Sequence, residues 1–141
     1  MPTKVFSVFK DKTTPPNPGA ISGTLDVKAT LKVPDGKYFI VAKMNVDNDT
    51  SSTQTVDCRL QAGADFDRNI IRLGASGTTN LDNAAVAFTV MHTFSGTSEV
   101  RHNDIFLGLM SPAQGSPPNV AAGRLKITAM SVDSIINEPA P

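Results

Sequence analysis

The residues that invite chemistry are few. There are two histidines, His92 and His102, and one cysteine, Cys58. If the stretches Ala84–Phe94 and Val100–Leu109 formed a simple hairpin about Thr97, the histidines would be cross-strand neighbours and Asp104 would lie opposite Val90. Two imidazoles and a carboxylate so placed could hold a metal or pass a proton. Alternation, however, sends His92 to the core side beside Val90 and Phe94, which favours a hydrogen-bonded structural histidine over a metal ligand on an oligomer axis.

Oxygen donors occur in two loops: Asp47, Asn48 and Asp49 in one, Asp65 and Asp67 in the other. They are candidates for Ca²⁺, but neither has the glycine and distal glutamate of a calcium-binding helix-loop-helix, and Asx residues equally make turns. The metal-ligand candidates are therefore His92, His102, Asp47 and Asp49, and no cofactor is expected. Asn48-Asp49-Thr50 matches a glycosylation sequon, read as chance in a chain that opens Met1-Pro2-Thr3-Lys4 without an apolar leader. Either the chain is made without a signal or one has been removed.

No catalytic residue emerges. There is no Gly-x-Ser-x-Gly, and Gly74-x-x-Gly77 precedes no helical pattern that could cradle phosphate. The only glutamates are Glu99 and Glu138, the latter in the tail. Cys58 alternates with Val56 and Leu60 and reads as a small buried hydrophobe. The chain is expected not to be an enzyme.

With 13 basic and 13 acidic residues the net charge is zero, and no Lys/Arg run or aromatic ladder marks a nucleic-acid surface. No apolar run is long enough to suggest membrane insertion. At 141 residues the sequence is expected to form one domain, residues 1–141, with a core at about 5–135 and a loose tail Glu138–Pro141.

The elements that must position these groups are strands. Leu25, Val27, Ala29, Leu31 and Val33 alternate with Asp26, Lys28, Thr30 and Lys32, one face to a core and one to water. Pro34-Asp35-Gly36 supplies a turn. It leads into Gly36–Asp47, where Tyr38, Ile40, Ala42, Met44 and Val46 share one face, while the other begins Phe39 and Val41 before turning polar at Lys43 and Asn45. Gln54–Ala62, Asp67–Leu73, Ala84–Phe94, Val100–Leu109 and Arg124–Val132 read likewise, after a short first strand at Phe6–Phe9. Loops at Asp11–Gly19, Asp47–Ser52, Gly74–Asn83 and Ser111–Val120 separate them. About eight short strands and no helical periodicity predict an all-β antiparallel sandwich or jelly roll of eight to ten strands.

Gly36-x-Tyr38 followed by Ile40-Val41-Ala42-Lys43, then Val56-Asp57-Cys58-Arg59-Leu60, and finally Leu125-Lys126-Ile127-Thr128-Ala129-Met130-Ser131-Val132, together resemble the C1q/TNF-like jelly rolls of small bacterial or phage proteins. The likeness spans roughly Gly36–Val132. Relatives tend to carry a second cysteine where this chain reads Val100-Arg101-His102-Asn103, so no disulfide carries over. The resemblance implies two five-stranded sheets and a homotrimer whose inner sheet lines the subunit contacts. It places the strands from Ala84 and Val100 in different sheets, which parts His92 from His102.

Under that topology the strands starting at Lys37, Ala84 and Arg124 lie together. Their second faces offer Phe39, Val41, Met91, Thr128, Met130 and Val132 as interface residues, with Ala87 and Thr89 beside them. The leading expectation is a non-enzymatic homotrimeric module that serves a structural or partner-binding role. The partner would be a capsid or cell-surface protein or a glycan. One alternative is a virion component, either a capsid decoration or a fibre-head protein. Another is a small carbohydrate-binding or carbohydrate-active β-sandwich, which the absence of Trp disfavours. A virion or secreted location would follow from the family.

Overall fold

The computed structural model describes residues 3–12, 24–77, 82–97, 100–110 and 120–141. Eight strands follow in order: β1 Val5–Lys10, β2 Leu25–Val33, β3 Gly36–Asp47, β4 Gln54–Ala62, β5 Asp65–Leu73, β6 Asn83–Phe94, β7 Asn103–Met110 and β8 Ala121–Ser131. They form two four-stranded sheets, β1-β8-β3-β6 and β2-β7-β4-β5. Every pairing is antiparallel, and the pairs nest: β1 with β8, β2 with β7, β3 with β6, β4 with β5. Successive nested pairs alternate between the sheets, which is the winding of a jelly roll. The expected all-β antiparallel jelly-roll sandwich is the observed fold. Among the described residues each sheet has four strands, where the family resemblance implied five. Among the described residues no helix is long and apolar enough to cross a membrane.

Period-two alternation builds the core. From β3 come Tyr38, Ile40, Ala42, Met44 and Val46, joined by Val86, Phe88 and Val90 of β6 and Leu125, Ile127 and Ala129 of β8. Facing them are Leu31 and Val33, Val56, Cys58 and Leu60, and Ile105, Leu107 and Leu109 from the other sheet. Burying each large aliphatic side chain contributes roughly 1.5–3 kcal/mol, spread over both sheets. Tyr38 keeps its hydroxyl satisfied by donating to the Pro34 carbonyl at 2.9 Å.

Alternation fails in β2. A bulge between Val27 and Ala29 inserts Lys28 as an extra residue, which reverses the phase of everything before it. Val27, expected in the core, is 41% exposed, and Lys28, expected in water, is buried. The Lys28 ammonium is paired with Asp26 at 2.9 Å. A second bulge sits in β8, where the pairing shifts between Lys43 and Asn45 of β3. There Arg124 takes a positive φ of 48°. That bulge lets β8 begin at Ala121 rather than Arg124. At the other boundary, Val100 and Arg101 form a turn, with Arg101 at φ 55°, so β7 starts at Asn103 and not at Val100. The expected loops Asp11–Gly19, Gly74–Asn83 and Ser111–Val120 lie partly outside the described residues.

Candidate self-association face

The strands that begin at Lys37, Ala84 and Arg124 in the sequence reading correspond to β3, β6 and β8. They lie side by side in one sheet, with β1 completing it. Register sorts the outer face of that sheet into rows. Phe39 stands opposite Met91 on one side and Met130 on the other, and Met130 stands opposite Val5. One apolar row thus crosses all four strands. The exposures are 59% for Val5, 39% for Met130, 37% for Phe39 and 44% for Met91. The next row is Ser7, Thr128, Val41 and Thr89. Ser7 and Thr128 share a hydroxyl hydrogen bond at 3.2 Å, and Val41 is 38% exposed. The third row is Phe9, Lys126, Lys43 and Ala87. Val132, just past β8, is half-buried, and its amide donates to the Lys37 carbonyl at 2.9 Å.

The outer face of the second sheet differs in kind. Arg59 lies over the Phe66 ring at 4.3 Å, and Arg68 pairs with Asp57 at 3.0 Å. Lys32 pairs with Asp104 at 2.6 Å. Exposed apolar groups there, Phe66 and Ile70 among them, are interleaved with charge.

The two histidines are not brought together. His92 lies on β6, while His102 precedes β7, a strand of the other sheet. His92 sits at the rim of the core, its Nδ1 2.7 Å from Asp65 Oδ2. Its ring lies edge-on to Phe94 with 4.4 Å between centroids. Gly63 closes over that ring so tightly that a Cβ would fall 2.6 Å from it. Asp47 ends β3, and loss of solvent, followed by the charges of Asp49 and Asp82, raises its pKa. Among the described residues no three His, Cys, Asp or Glu side chains converge as a metal set. Burial, and then the Asp57 charge, pushes the Cys58 thiol up to about 12, so it stays protonated and unreactive at neutral pH.

Two polar arrangements escaped the sequence reading. Asn48 is fully buried. Its Nδ2 donates to the Ser52 and Gly74 carbonyls, both at 2.9 Å, and its Oδ1 accepts from Thr50 N at 3.0 Å and Thr50 Oγ1 at 2.6 Å. With both amide hydrogens engaged in the interior, the sequon nitrogen is closed to a glycosyl donor while the chain is folded. The second arrangement laces the sheets together along one flank. Asp65, Asp67 and Asn69 alternate along β5 and reach across to β6. Asp67 Oδ2 accepts from Thr89 N, and Asn69 Nδ2 donates to the Ala87 carbonyl, both at 2.9 Å. These side chains occupy edge groups of β6 that an added strand would need. The only sequence signal was the polar alternation Asp65, Asp67 and Asn69 in the first half of β5, which does not say where those residues reach.

No family model matches the chain, and no curated protein matches it. Among solved structures, a point mutant of the VP2 protein of infectious bursal disease virus, in derived T=1 particles, aligns with a TM-score of 0.47 and 13% identity, over 92% of this chain and 32% of that one. The present chain therefore spans about a third of that protein. The globular domain of zebrafish complement 1qA aligns with a TM-score of 0.37 and 10% identity, over 92% of this chain and 96% of that domain. The assignment as a jelly roll rests on the nested strand pairs and not on these likenesses.

Proposed function

We propose that the protein is a non-catalytic jelly-roll module that assembles into a homotrimer through the outer face of the β1-β8-β3-β6 sheet. The observation that carries this reading is the unbroken apolar row Val5, Met130, Phe39 and Met91, extended by Val41. Scattered surface apolar residues are normal, but a contiguous row across a whole sheet is the composition of an interface core. The laced β5–β6 flank supports the same reading, since it directs association toward a face and away from strand addition along that edge. Stable contacts bury about 800 Å² per partner, so the face would be joined by its surroundings. Loops such as Asp47–Ser52 remain outside and present the variable surface for a further partner.

Val41→Asp and Met130→Asp test this reading. Each places an unpaired carboxylate in the interface, which costs about 3 kcal/mol or more, about a 100-fold loss of affinity per contact. Light scattering is expected to give the mass of a single chain for both variants, with circular dichroism unchanged. An unchanged assembly mass in both would place the interface elsewhere.

A further inference from the structure

The outer face of the β2-β7-β4-β5 sheet carries a row of its own. Alternation along β5 turns Phe66, Arg68, Ile70 and Arg72 outward, and all four are exposed. An apolar side chain and a cation thus take turns along one line. On the adjoining strand β4, Arg59 stands directly opposite Arg68, and its guanidinium lies over the Phe66 ring at 4.3 Å.

Like charges set directly opposite each other repel, and little on this face offsets them. Asp57 pairs with Arg68 at 3.0 Å. Among the described residues no carboxylate pairs with Arg59 or Arg72, and Arg59 Nε has no hydrogen-bond partner. Thr55 and Gln61, the other outward residues of β4, are neutral. Three guanidinium groups against one carboxylate leave an excess of positive charge beside two exposed apolar side chains. Such a surface fits a partner that brings both carboxylates and apolar groups.

Spacing narrows the partner further. Same-face residues of a strand lie about 6.6 Å apart, twice the rise per residue. A second chain in extended conformation repeats its side chains at the same interval, whereas a sulfated sugar chain brings no apolar side groups to match Phe66 and Ile70. We propose that this row binds an extended acidic peptide segment, with a carboxylate at every fourth position and an apolar residue midway between. Laid along β5, its carboxylates meet Arg68 and Arg72 while its apolar residues meet Phe66 and Ile70. Arg59 stands beside Arg68, so one carboxylate bridges the two guanidinium groups and relieves their repulsion. The row belongs to the sheet opposite the self-association face, and the proposal stands independently of that reading.

Fluorescence anisotropy with a labelled heptapeptide tests it on the full chain. The probe has valine at its first and fifth positions, glutamate at its third and seventh, and serine between. Saturable binding is expected, about tenfold weaker for a peptide of the same composition in shuffled order. Arg72→Glu, which removes no ion pair of the fold, and Ile70→Ser are each expected to weaken binding by about tenfold, with circular dichroism unchanged. No saturable binding of the patterned peptide would overturn the proposal. Equal binding of the shuffled peptide, or binding undisturbed by both substitutions, would overturn it as well. A chain that binds heparin and not the patterned peptide would assign the arginines to a sulfated polymer and refute the peptide.

Discussion

Gly108→Ala is expected to lower stability by about 3 kcal/mol or more, although it adds one methyl group to a surface-side position of a central strand. The reason is steric and lies in the backbone. A Cβ at position 108 would fall on the carbonyl oxygen of Asp26 and crowd Val27 Cα. These are main-chain atoms of the β2 bulge, so no side-chain rotation relieves the overlap. Either β2 moves away from β7 or the bulge that seats the buried Lys28–Asp26 pair is undone. For a domain of this size the melting temperature should fall by about 10 °C. Thermal unfolding followed by circular dichroism measures it, and a melting temperature within about 1 °C of wild type would show that β2 yields without cost.

Asn48→Asp should be comparably damaging while leaving the side chain's shape unchanged. The amide nitrogen that donates to the Ser52 and Gly74 carbonyls becomes an oxygen, so two attractions turn into repulsions in a fully buried site. Burial and those carbonyls disfavour the carboxylate, raising the pKa of the introduced group above its unfolded value. The sign follows: the penalty is full at neutral pH and shrinks as pH falls through that raised pKa, where the protonated acid can again donate one hydrogen bond. Urea denaturation at pH 7 is expected to show a loss of about 3 kcal/mol relative to wild type, with a smaller difference near pH 4.5. Equal stability of the two proteins at pH 7 would contradict the role given to Asn48.

Gly108 was silent in the sequence, and Asn48 was read there only as a turn, calcium-donor or sequon residue, for related physical reasons. Gly108 matters because of a bulge in β2, and Asn48 because its amide ties its own loop to the Gly74 carbonyl of a distant one. The bulge and the Gly74 contact both depend on residues distant in sequence. By contrast β3 was legible residue by residue, because alternation needs only a strand with a core on one side: Tyr38, Ile40, Ala42, Met44 and Val46 are all buried, and Phe39 and Val41 face out. The same rule misled in β2, where one inserted residue turned Val27 outward and Lys28 inward. Asp65 and Asp67 were read as turn residues or calcium donors. Their carboxylates instead reach His92 and the β6 backbone, contacts made across the sandwich between residues distant in sequence. The grouping of β3, β6 and β8 came from the family resemblance, since alternation alone cannot say which strands are neighbours.

The homotrimer proposed from the apolar row across β1, β8, β3 and β6 sets one mass in solution. Sedimentation equilibrium of the unmodified chain at micromolar concentration should give three times the 14.9 kDa mass of one chain. A stable species of 14.9 kDa under the same conditions would mean that this face stands open to water, and that association through it is not what the protein does.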